Sequence, residues 1–240
     1  IPIYFISLVY SIFLCFIFIM NLEINTINES LNLNDFYNKL NVTKFEGYSQ
    51  QVEEQSLFLS NVVKNNGIKN VMEIGFNAGH SAELFLSSNK NINVLSFDLG
   101  DHEYVKYGKQ FIDTKYPNRH ALILGNSVQT VPASSNNIDT KFDVIFIDGG
   151  HDYETAKQDL LNCSKYAHDK TIVIMDDIVK QKKWVKSWNI GPNKAWEEEL
   201  LNGNVTQHGH VSYESGRGQS WGNYILNKPS LQKINMVFNN

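Results

Sequence analysis

The sequence predicts an α/β fold in which helices cover both faces of a doubly wound, mostly parallel sheet. From Ile68 onward, five short apolar runs alternate with segments of helical periodicity, which is the pattern of repeated βαβ units. The runs are almost uninterrupted Val, Ile, Leu and Phe, as expected for strands that are buried on both faces. Because such sheets bind ligands beyond the carboxyl ends of their strands, the residues that end each strand are the candidates for chemistry.

The parallel strands and their helices follow from this alternation. Strands are predicted over residues 68–74, 92–97, 121–124, 142–147 and 171–175. Helices are predicted over residues 81–87, 103–115 and 153–166, with a short one after Ser127. Before the first strand, a short helix is predicted over 35–40 and a longer one over 48–65, ended by Gly67.

The C-terminal part predicts a helix and an antiparallel strand pair. The helix covers residues 192–201, begins at Pro192 and stops before Gly203. Strands over 205–214 and 221–227 surround a Ser-Gly-Arg-Gly turn and are placed at the sheet edge. The basic stretch from Lys180 to Trp188 is interpreted as an acceptor loop or lid rather than a nucleic-acid site.

Composition limits the function classes. The length of 240 residues suffices for one large domain, and a net charge of −4 gives no electrostatic footprint for nucleic acid. The two cysteines, Cys15 and Cys163, leave only one in the globular part, so neither a disulfide framework nor a zinc cluster can form there. A reducing, cytoplasmic compartment fits this cysteine content.

Residues 1–20 are apolar and uncharged, and two interpretations stay open. They form a membrane anchor, or they are an upstream extension of a chain whose start is Met20, which we favour slightly. A cleaved signal peptide is not expected because no basic region precedes the apolar run. The predicted organisation is therefore this segment, a polar lead-in over 21–47 and one domain over 48–240.

The first strand ends in a glycine turn that organises the chain. Its sequence is Glu73-x-Gly75-x-x-x-Gly79, followed at once by a helix. Such a turn directs backbone N–H groups and a helix N-terminus at a ligand above the sheet, and glycine lets the backbone approach it closely. The spacing lacks the middle glycine of the dinucleotide pattern. An ordinary tight turn is the alternative.

Asp98 ends the second strand, about one βα unit after the glycine turn. A carboxylate at this place typically accepts hydrogen bonds from ribose hydroxyls. Alternatively, it caps a helix or is a solvated loop carboxylate. The third strand ends in another polar segment, Gly125-Asn126-Ser127.

Three aspartates follow the fourth and fifth strands, namely Asp148, Asp176 and Asp177. Neighbouring strand ends bring these carboxylates to one rim, where a hard divalent cation such as Mg²⁺ relieves their repulsion. In the alternative, Asp148 bonds backbone groups and the Asp-Asp pair caps the next segment.

His151 follows Asp148 on a Gly-Gly turn. An imidazole titrates near neutrality, which suits a general base that takes a proton from a hydroxyl. The alternative is an ordinary surface or core histidine.

Together these strand ends resemble the class I S-adenosylmethionine-dependent methyltransferases, and most of all the methyltransferase family 24 type, related to the catechol O-methyltransferases. The resemblance covers residues 50–226 and rests chiefly on the run Phe-Ile-Asp-Gly-Gly-His-x-Tyr followed by Asp-Asp. It implies a Rossmann-like, mostly parallel seven-stranded sheet with an antiparallel edge strand. S-adenosylmethionine would be the cofactor and Mg²⁺ the metal.

The resemblance also implies roles for the cofactor-binding residues. Glu73, Gly75 and Gly79 would line the methionine end of the cofactor, with Asn77 in the same turn and Ser81 at its carboxylate. Asp98 would hold the ribose. Asn126 and Ser127 would lie by the adenine. Asp148 would border the same site.

The resemblance places the three aspartates at the positions of the metal ligands. His151 stands where the catechol enzymes have a lysine base, and histidine is the base in some sugar-directed relatives. The prediction is therefore O-methylation of a hydroxyl on a small molecule or saccharide, with His151 as base. No nucleic-acid partner is expected, a membrane partner only if residues 1–20 are an anchor, and a homo-oligomer is left open.

Three rival functions stay open at this point. A metal-free methyltransferase would act on nitrogen or on a protein. A nicotinamide oxidoreductase could share the fold, although the missing G-x-G-x-x-G spacing argues against it. A catalytically silent cofactor-binding module would keep the site without turnover, although the intact set of polar strand ends argues against decay.

Overall fold

The computed structural model describes residues 31–214 and 216–227, and the apolar segment at 1–20 lies outside them. Seven helices and seven strands are described in these ranges, with four short 3-10 turns between them. The helices are α1 Leu33–Lys39, α2 Glu53–Val63, α3 His80–Ser88, α4 Glu103–Lys115, α5 Ser127–Ser134, α6 Tyr153–Cys163 and α7 Ile190–Leu201. The strands are β1 Asn70–Ile74, β2 Asn93–Asp98, β3 His120–Leu124, β4 Phe142–Ile147, β5 Ala167–Asp176, β6 Gly209–Ser212 and β7 Gly218–Asn223.

The strands form one seven-stranded sheet of order β3-β2-β1-β4-β5-β7-β6. The first five are parallel, β7 pairs antiparallel with β5, and β6 pairs antiparallel with β7. The predicted doubly wound sheet with an antiparallel edge is therefore confirmed. Strand order reverses between β1 and β4, and ligands bind in the crevice at such a switch point.

Two apolar layers lie against the two faces of this sheet. Successive residues of β1 point to opposite faces. Val71 belongs to the layer that holds side chains of α1 to α4, and Met72 to the layer that holds side chains of α5 to α7. The sheet is thus covered on both faces, as the uninterrupted apolar runs predict. Both layers leave the carboxyl ends of the strands free for the site.

Residues 31–47, predicted as a lead-in, supply α1 to the first layer. Asn32 caps α1 by accepting a hydrogen bond from the Asp35 N–H. Tyr37 is 1% exposed, and its hydroxyl donates to the carbonyl oxygens of Ala78 and Tyr104. These bonds hold α1 to the segment that follows β1 and to the first turn of α4.

Several predicted bounds change at the C-terminal hairpin. The strand predicted over 205–214 is shortened to β6, and only an isolated bridge joins Val205 to Tyr224. The strand predicted over 221–227 begins and ends earlier, as β7. The reason lies in two glycines: a Cβ on Gly218 would lie 2.2 Å from the Ile178 carbonyl oxygen, and one on Gly222 would lie 1.8 Å from that of Thr206. Close backbone packing, not apolar alternation, sets this register.

Among the other elements, the largest differences in length from the predictions occur at β5 and at the helix after β4. β5 begins at Ala167 rather than Thr171, because the pairing between β4 and β5 shifts register between Phe142 and Val144 and continues past the shift. The helix predicted over 153–166 ends at Cys163 and continues as a 3-10 turn. Within the described ranges, no helix is both long and apolar enough to cross a bilayer.

Candidate active site

A cleft of about 830 Å³ opens at the carboxyl ends of the parallel strands. Predicted site residues that line it are Gly75, Asn77, Asp98, Asn126, Ser127, Asp148, His151 and Asp177. They come from five different strand ends, as the doubly wound sheet requires. Phe97, Leu99 and Trp188 add apolar surface to the same walls. The cleft is therefore the common site of most of the residues that the sequence singled out.

The glycine turn after β1 packs directly against the end of β4. Gly75 has a φ of +93°, and a Cβ built on it would lie 1.9 Å from the Asp148 carbonyl oxygen. The Asp148 N–H donates to the carbonyl of Ile74 at 2.9 Å, which fixes the two strand ends together. Only glycine fits this position. The turn therefore keeps the cleft floor clear of side chains.

Asp98 lies in the cleft and organises the loops on either side of it. Its Oδ2 accepts from the Asn77 N–H at 2.7 Å, and its Oδ1 accepts from the Gly100 N–H at 2.7 Å. Asn77 itself has a φ of +50°, in the left-handed region that asparagine tolerates. Each carboxylate oxygen keeps a further lone pair, so Asp98 can still accept from a ligand hydroxyl.

Glu73 and Ser81 lie beneath the cleft rather than in its lining. Glu73 is 0% exposed and accepts hydrogen bonds from the hydroxyls of Ser81 and Ser96. Burial raises the pKa of Glu73 to about 7, against the lowering effect of the two serine bonds. Gly79, at the N-terminus of α3 with a φ of +86°, packs on Phe76. In this structure these residues support the turn from below.

Asn126 and Ser127 line the cleft at the start of α5. The Asn126 side chain accepts a hydrogen bond from the Val128 N–H at 3.0 Å and so caps this helix. Ser127 is half-buried and Asn126 is exposed. Both residues therefore stand where the sequence placed them, at the end of the third strand.

Asp148, His151 and Asp177 form a compact group in the same cleft. One potential ligand atom from each lies within 4.8 Å of the others. The Nε2 of His151 lies 3.0 Å from Oδ2 of Asp177, and this bond raises the pKa of His151. Burial, with repulsion from Asp177, raises the pKa of Asp148 to about 6. Asp177 has a φ of +58°, an uncommon backbone conformation that clusters at functional sites.

Asp176 stands apart from this group. It is 3% exposed, and its Oδ2 accepts from the Gln55 side-chain amide at 2.7 Å. Its Oδ1 is buried and has no hydrogen-bond partner among the described residues. Burial raises the pKa of Asp176 well above its ordinary value, and repulsion from Asp148 adds to this effect. The structure thus brings His151, rather than Asp176, beside the other two carboxylates. Metal ligation by Asp176 stays a prediction.

The sequence analysis gave no role to Arg217, which lines the cleft at the start of β7. Its Nη1 donates to the Tyr48 carbonyl at 3.1 Å, and its charge lowers the pKa of both Asp148 and Asp176. The side chain passes over Gly47, where a Cβ would lie 2.3 Å from Nη2. The sequence shows the Gly-Arg-Gly turn, but it does not show that Arg217 bonds to Tyr48, because the two residues are 169 positions apart.

The segment before α2 also borders the cleft. The Gly47 carbonyl accepts from the Asn77 side-chain amide at 2.7 Å. Glu46 and His102 form a salt bridge of 3.1 Å between this segment and the residue preceding α4. These contacts, with the Arg217 bond, attach residues 46–48 to three sides of the cleft. No local sequence pattern predicts these contacts.

Solved structures of other proteins share this fold. An O-methyltransferase from Bacillus cereus in complex with SAH has a TM-score of 0.65 and 16% identity, covering 80% of this chain and 90% of that one. TomG of tomaymycin synthesis, an O-methyltransferase from Streptomyces achromogenes solved with SAM, has a TM-score of 0.62 and 11% identity, covering 80% and 87%. At such identities the likeness shows the fold alone, which is the Rossmann-like methyltransferase fold.

A third solved structure is a TDP-rhamnose 3′-O-methyltransferase of calicheamicin biosynthesis, in its apo form. Its TM-score is 0.56 at 18% identity, and the match covers 71% of this chain and 79% of that one. A search of curated protein sequences gave no match.

A family model matches part of the sequence. Residues 72–178 match the family model described as "Methyltransferase domain", which spans from β1 to just past Asp177. The match covers the strand ends on which the resemblance to methyltransferase family 24 rests, and the resemblance seen in the sequence is confirmed. All of the strand-end residues discussed above, except Arg217, lie within the matched region.

Proposed function

We propose that the protein is an S-adenosylmethionine-dependent O-methyltransferase that acts on a hydroxyl of a small molecule or saccharide, with His151 as general base and a divalent cation at the aspartates. One observation carries this proposal. The group formed by Asp148, His151 and Asp177 shares one cleft with Asp98 and the glycine turn. A proton acceptor and a nucleoside-binding carboxylate therefore open onto the same space.

The cleft fits the cofactor at its glycine turn. The floor beside Gly75 is bare backbone, since a Cβ there would overlap the Asp148 carbonyl. Asp98 would accept from the ribose hydroxyls with its spare lone pairs, and Asn126 and Ser127 would border the adenine. When bound, S-adenosylmethionine supplies a methyl group that is already activated by its sulfonium. What remains for this chain is to position the acceptor and remove a proton.

The residues also fit a divalent cation. Asp148 and Asp177 present carboxylate oxygens close together, and the raised pKa of Asp148 reflects their burial and mutual repulsion. Within the part of the chain that the structure describes, the buried Oδ1 of Asp176 has no hydrogen-bond partner, as expected for an oxygen that binds a ligand. Asp148, Asp177 and Asp176 would hold the ion. A bound cation lowers the pKa of a hydroxyl that binds beside it.

Asp177 orients His151 so that the imidazole can remove a proton from the acceptor. If Nε2–H donates to the Asp177 carboxylate at 3.0 Å, Nδ1 keeps its lone pair and can take the proton of an acceptor hydroxyl. The carboxylate also stabilises the imidazolium that results, as in other His–Asp pairs. The His151 side chain is 48% exposed, so it can reach an acceptor in the open cleft.

The same His–Asp pair favours a second candidate, a methyltransferase that needs no metal. A hydrogen-bonded His151–Asp177 pair can accept a proton without a cation beside it. The two candidates differ in one result. Turnover that survives exhaustive EDTA treatment would support the metal-free enzyme and overturn the cation.

Calorimetric titration with S-adenosylhomocysteine tests the core of the proposal. The wild-type protein is expected to bind it at micromolar Kd. A screen of hydroxylated acceptors with labelled S-adenosylmethionine, with and without Mg²⁺, then tests O-methylation. Absence of S-adenosylhomocysteine binding to folded protein would overturn the proposed function as a whole. Binding without turnover on any acceptor class would favour a silent module.

A further inference from the structure

One surface beside the cleft has a charge opposite to that of the chain. We define the basic segment as residues 180–188, which contain Lys180, Lys182, Lys183 and Lys186. No Asp or Glu occurs between Asp177 and Glu197, although the chain carries a net charge of −4. All four lysines are exposed. Among the described residues none of them forms a salt bridge, whereas Lys106, Lys109, Lys115 and Lys157 do.

The basic segment is fixed in place beside the cleft. The Lys180 N–H donates to the Ser212 hydroxyl at 3.3 Å, which holds its start. At its end, the Asn189 side chain accepts a hydrogen bond from the Lys186 N–H at 3.0 Å. The side-chain amide of Asn189 donates to the Gly216 carbonyl, also at 3.0 Å. Asn189 is 0% exposed. The positive charges are therefore attached to β6 and to the turn before β7, rather than carried on a free loop.

The segment reaches the cleft at Trp188 and approaches it at Lys186, beside a residue next to the lining. Trp188 lines the cleft wall and is 40% exposed. The Lys186 side chain packs over Gly216, where a Cβ would lie 3.2 Å from Lys186 Cγ. The next residue, Arg217, lines the cleft and lowers the pKa of Asp148. Positive charge thus runs from the exposed lysines through Arg217 to the carboxylates.

This charge distribution would orient an acceptor. The inner end of the cleft is acidic, with Asp148 and Asp177, and its rim on the side of the basic segment is positive. An anionic group is attracted to the rim and repelled from the carboxylates, which leaves the other end of the same molecule near His151. Lysine ammonium groups bind phosphate as point charges, and arginine binds it with two parallel hydrogen bonds. Trp188 offers a flat apolar surface for a ring beside it.

We propose that the acceptor carries a phosphate or diphosphate group, and that Lys182, Lys183, Lys186 and Arg217 hold this group while the hydroxyl faces His151. The proposal rests on the proposed methyltransferase function and names its substrate class. Four lysines within seven residues supply more positive charge than a single carboxylate would require, which is why we choose a phosphoryl group. A phosphorylated sugar and a nucleoside diphosphate sugar share this chemistry.

The test uses the full chain saturated with S-adenosylhomocysteine, at constant ionic strength, and three probes: inorganic pyrophosphate, UDP and glucuronate. We expect pyrophosphate and UDP to bind in calorimetric titrations. The triple variant Lys182→Ala, Lys183→Ala, Lys186→Ala should weaken both by at least tenfold. UDP that binds more tightly than pyrophosphate, with a difference lost in Trp188→Ala, would identify the nucleoside diphosphate as the source. Equal binding of both probes would identify a simple phosphate ester.

A matched triple variant controls for net charge. Lys64, Lys69 and Lys90 are exposed and lie near the amino ends of β1 and β2, on the opposite edge of the sheet. Their change to alanine should alter the Kd of pyrophosphate less than twofold. An equal loss of phosphate-probe affinity in both triple variants would show that the effect comes from net charge alone, and it would overturn the proposal. So would no binding of either phosphate probe, preference for glucuronate, or binding of poly(U) that tightens with chain length.

The two proposals fail separately. Wild-type protein that binds S-adenosylhomocysteine but neither phosphate probe keeps the methyltransferase function and loses the acceptor class. Protein that does not bind S-adenosylhomocysteine, but binds pyrophosphate through the three lysines when titrated alone, loses the function and keeps an anion site.

Discussion

The Nε2 of His151 lies 3.0 Å from Oδ2 of Asp177, and this pair stands in the cleft that also holds Asp98. A second His–Asp pair, His168 and Asp143, has nearly the same separation of 3.1 Å but lies at the amino ends of β4 and β5. Both are contacts between a histidine Nε2 and a carboxylate, although Asp143 also accepts the N–H groups of Lys69 and Asn70. They therefore make a matched comparison for the role of the first.

His151→Gln should lower kcat by roughly 10²- to 10⁴-fold, the usual contribution of a general base. The Kd of S-adenosylhomocysteine should stay within about threefold, because His151 touches the acceptor side of the proposed reaction. His168→Gln serves as the control and should retain full activity. Steady-state kinetics and calorimetry on both variants give the comparison. Loss of less than tenfold in His151→Gln would remove the base assignment.

Asp177→Asn should weaken binding of a divalent cation more than Asp176→Asn does. Asp177 lies in the group with Asp148 and His151, whereas Asp176 already accepts a hydrogen bond from Gln55. Mn²⁺ titration followed by electron paramagnetic resonance measures this directly. The exposed Asp139→Asn is the control for lost charge and should leave the Mn²⁺ affinity unchanged. The reverse order of the two site variants would show that Asp176 is the main ligand.

Asp98→Ala should raise the Kd of S-adenosylhomocysteine by tenfold or more, which is about 1.4 kcal/mol of binding free energy. The side chain faces the cleft and would bind the ribose. Asp98 also accepts hydrogen bonds from the N–H groups of Asn77 and Gly100. Its loss therefore removes two bonds that hold the loops as well as the acceptor for the ribose. Asp98→Asn keeps one of the two acceptor oxygens, so it can retain one of the two loop bonds, and it should raise the Kd less than Asp98→Ala does. An unchanged Kd in both variants would place the ribose elsewhere.

Glu73→Gln should change how stability depends on pH. Burial raises the pKa of Glu73 from 4.5 to about 7, so between these values the folded protein holds a proton that the unfolded chain has released. The free energy of unfolding therefore falls as pH rises from 4.5 to 7, by at most ~3 kcal/mol for this group at 1.36 kcal/mol per pKa unit. Glutamine does not titrate, so the Glu73→Gln variant should lack this part of the pH dependence.

Chemical denaturation at pH 5 and pH 8 gives the measurement. The wild type should lose stability relative to Glu73→Gln on going to pH 8. His80 and His120, whose pKa values burial lowers to about 4, act in the opposite direction below pH 6.5, but equally in both proteins. Their effect cancels in the difference. If the stability of the two proteins depended on pH in the same way, burial would not raise the pKa of Glu73.

The parallel half of the fold was predictable because its signals are local. Each strand is a continuous apolar run, and β4 and α4 have the predicted bounds. The hairpin of β6 and β7 was placed only coarsely, since Gly218 and Gly222 fit their register by having no side chain, which an apolar pattern does not reveal.

The site divides in the same way. Asp98, Asp148 and Asp177 were predictable because the carboxyl ends of parallel strands meet at one edge. That Asp177 rather than Asp176 meets His151 depends on a positive φ at Asp177, which the adjacent pair of aspartates does not disclose. The burial of Glu73 below the cleft likewise depends on Ser96 of the neighbouring strand.

The bond from Arg217 to the Tyr48 carbonyl also sets an order of events during synthesis. Tyr48 leaves the ribosome long before its partner, and at translation rates of 5–20 residues per second the 169 positions between them take roughly 8 to 34 s. Through that interval β1 to β5 can pair while one wall of the cleft is missing. The cleft wall therefore gains this contact only after residue 217 has been made, and a chain that ends ahead of it would lack the bond that attaches Tyr48 to the wall.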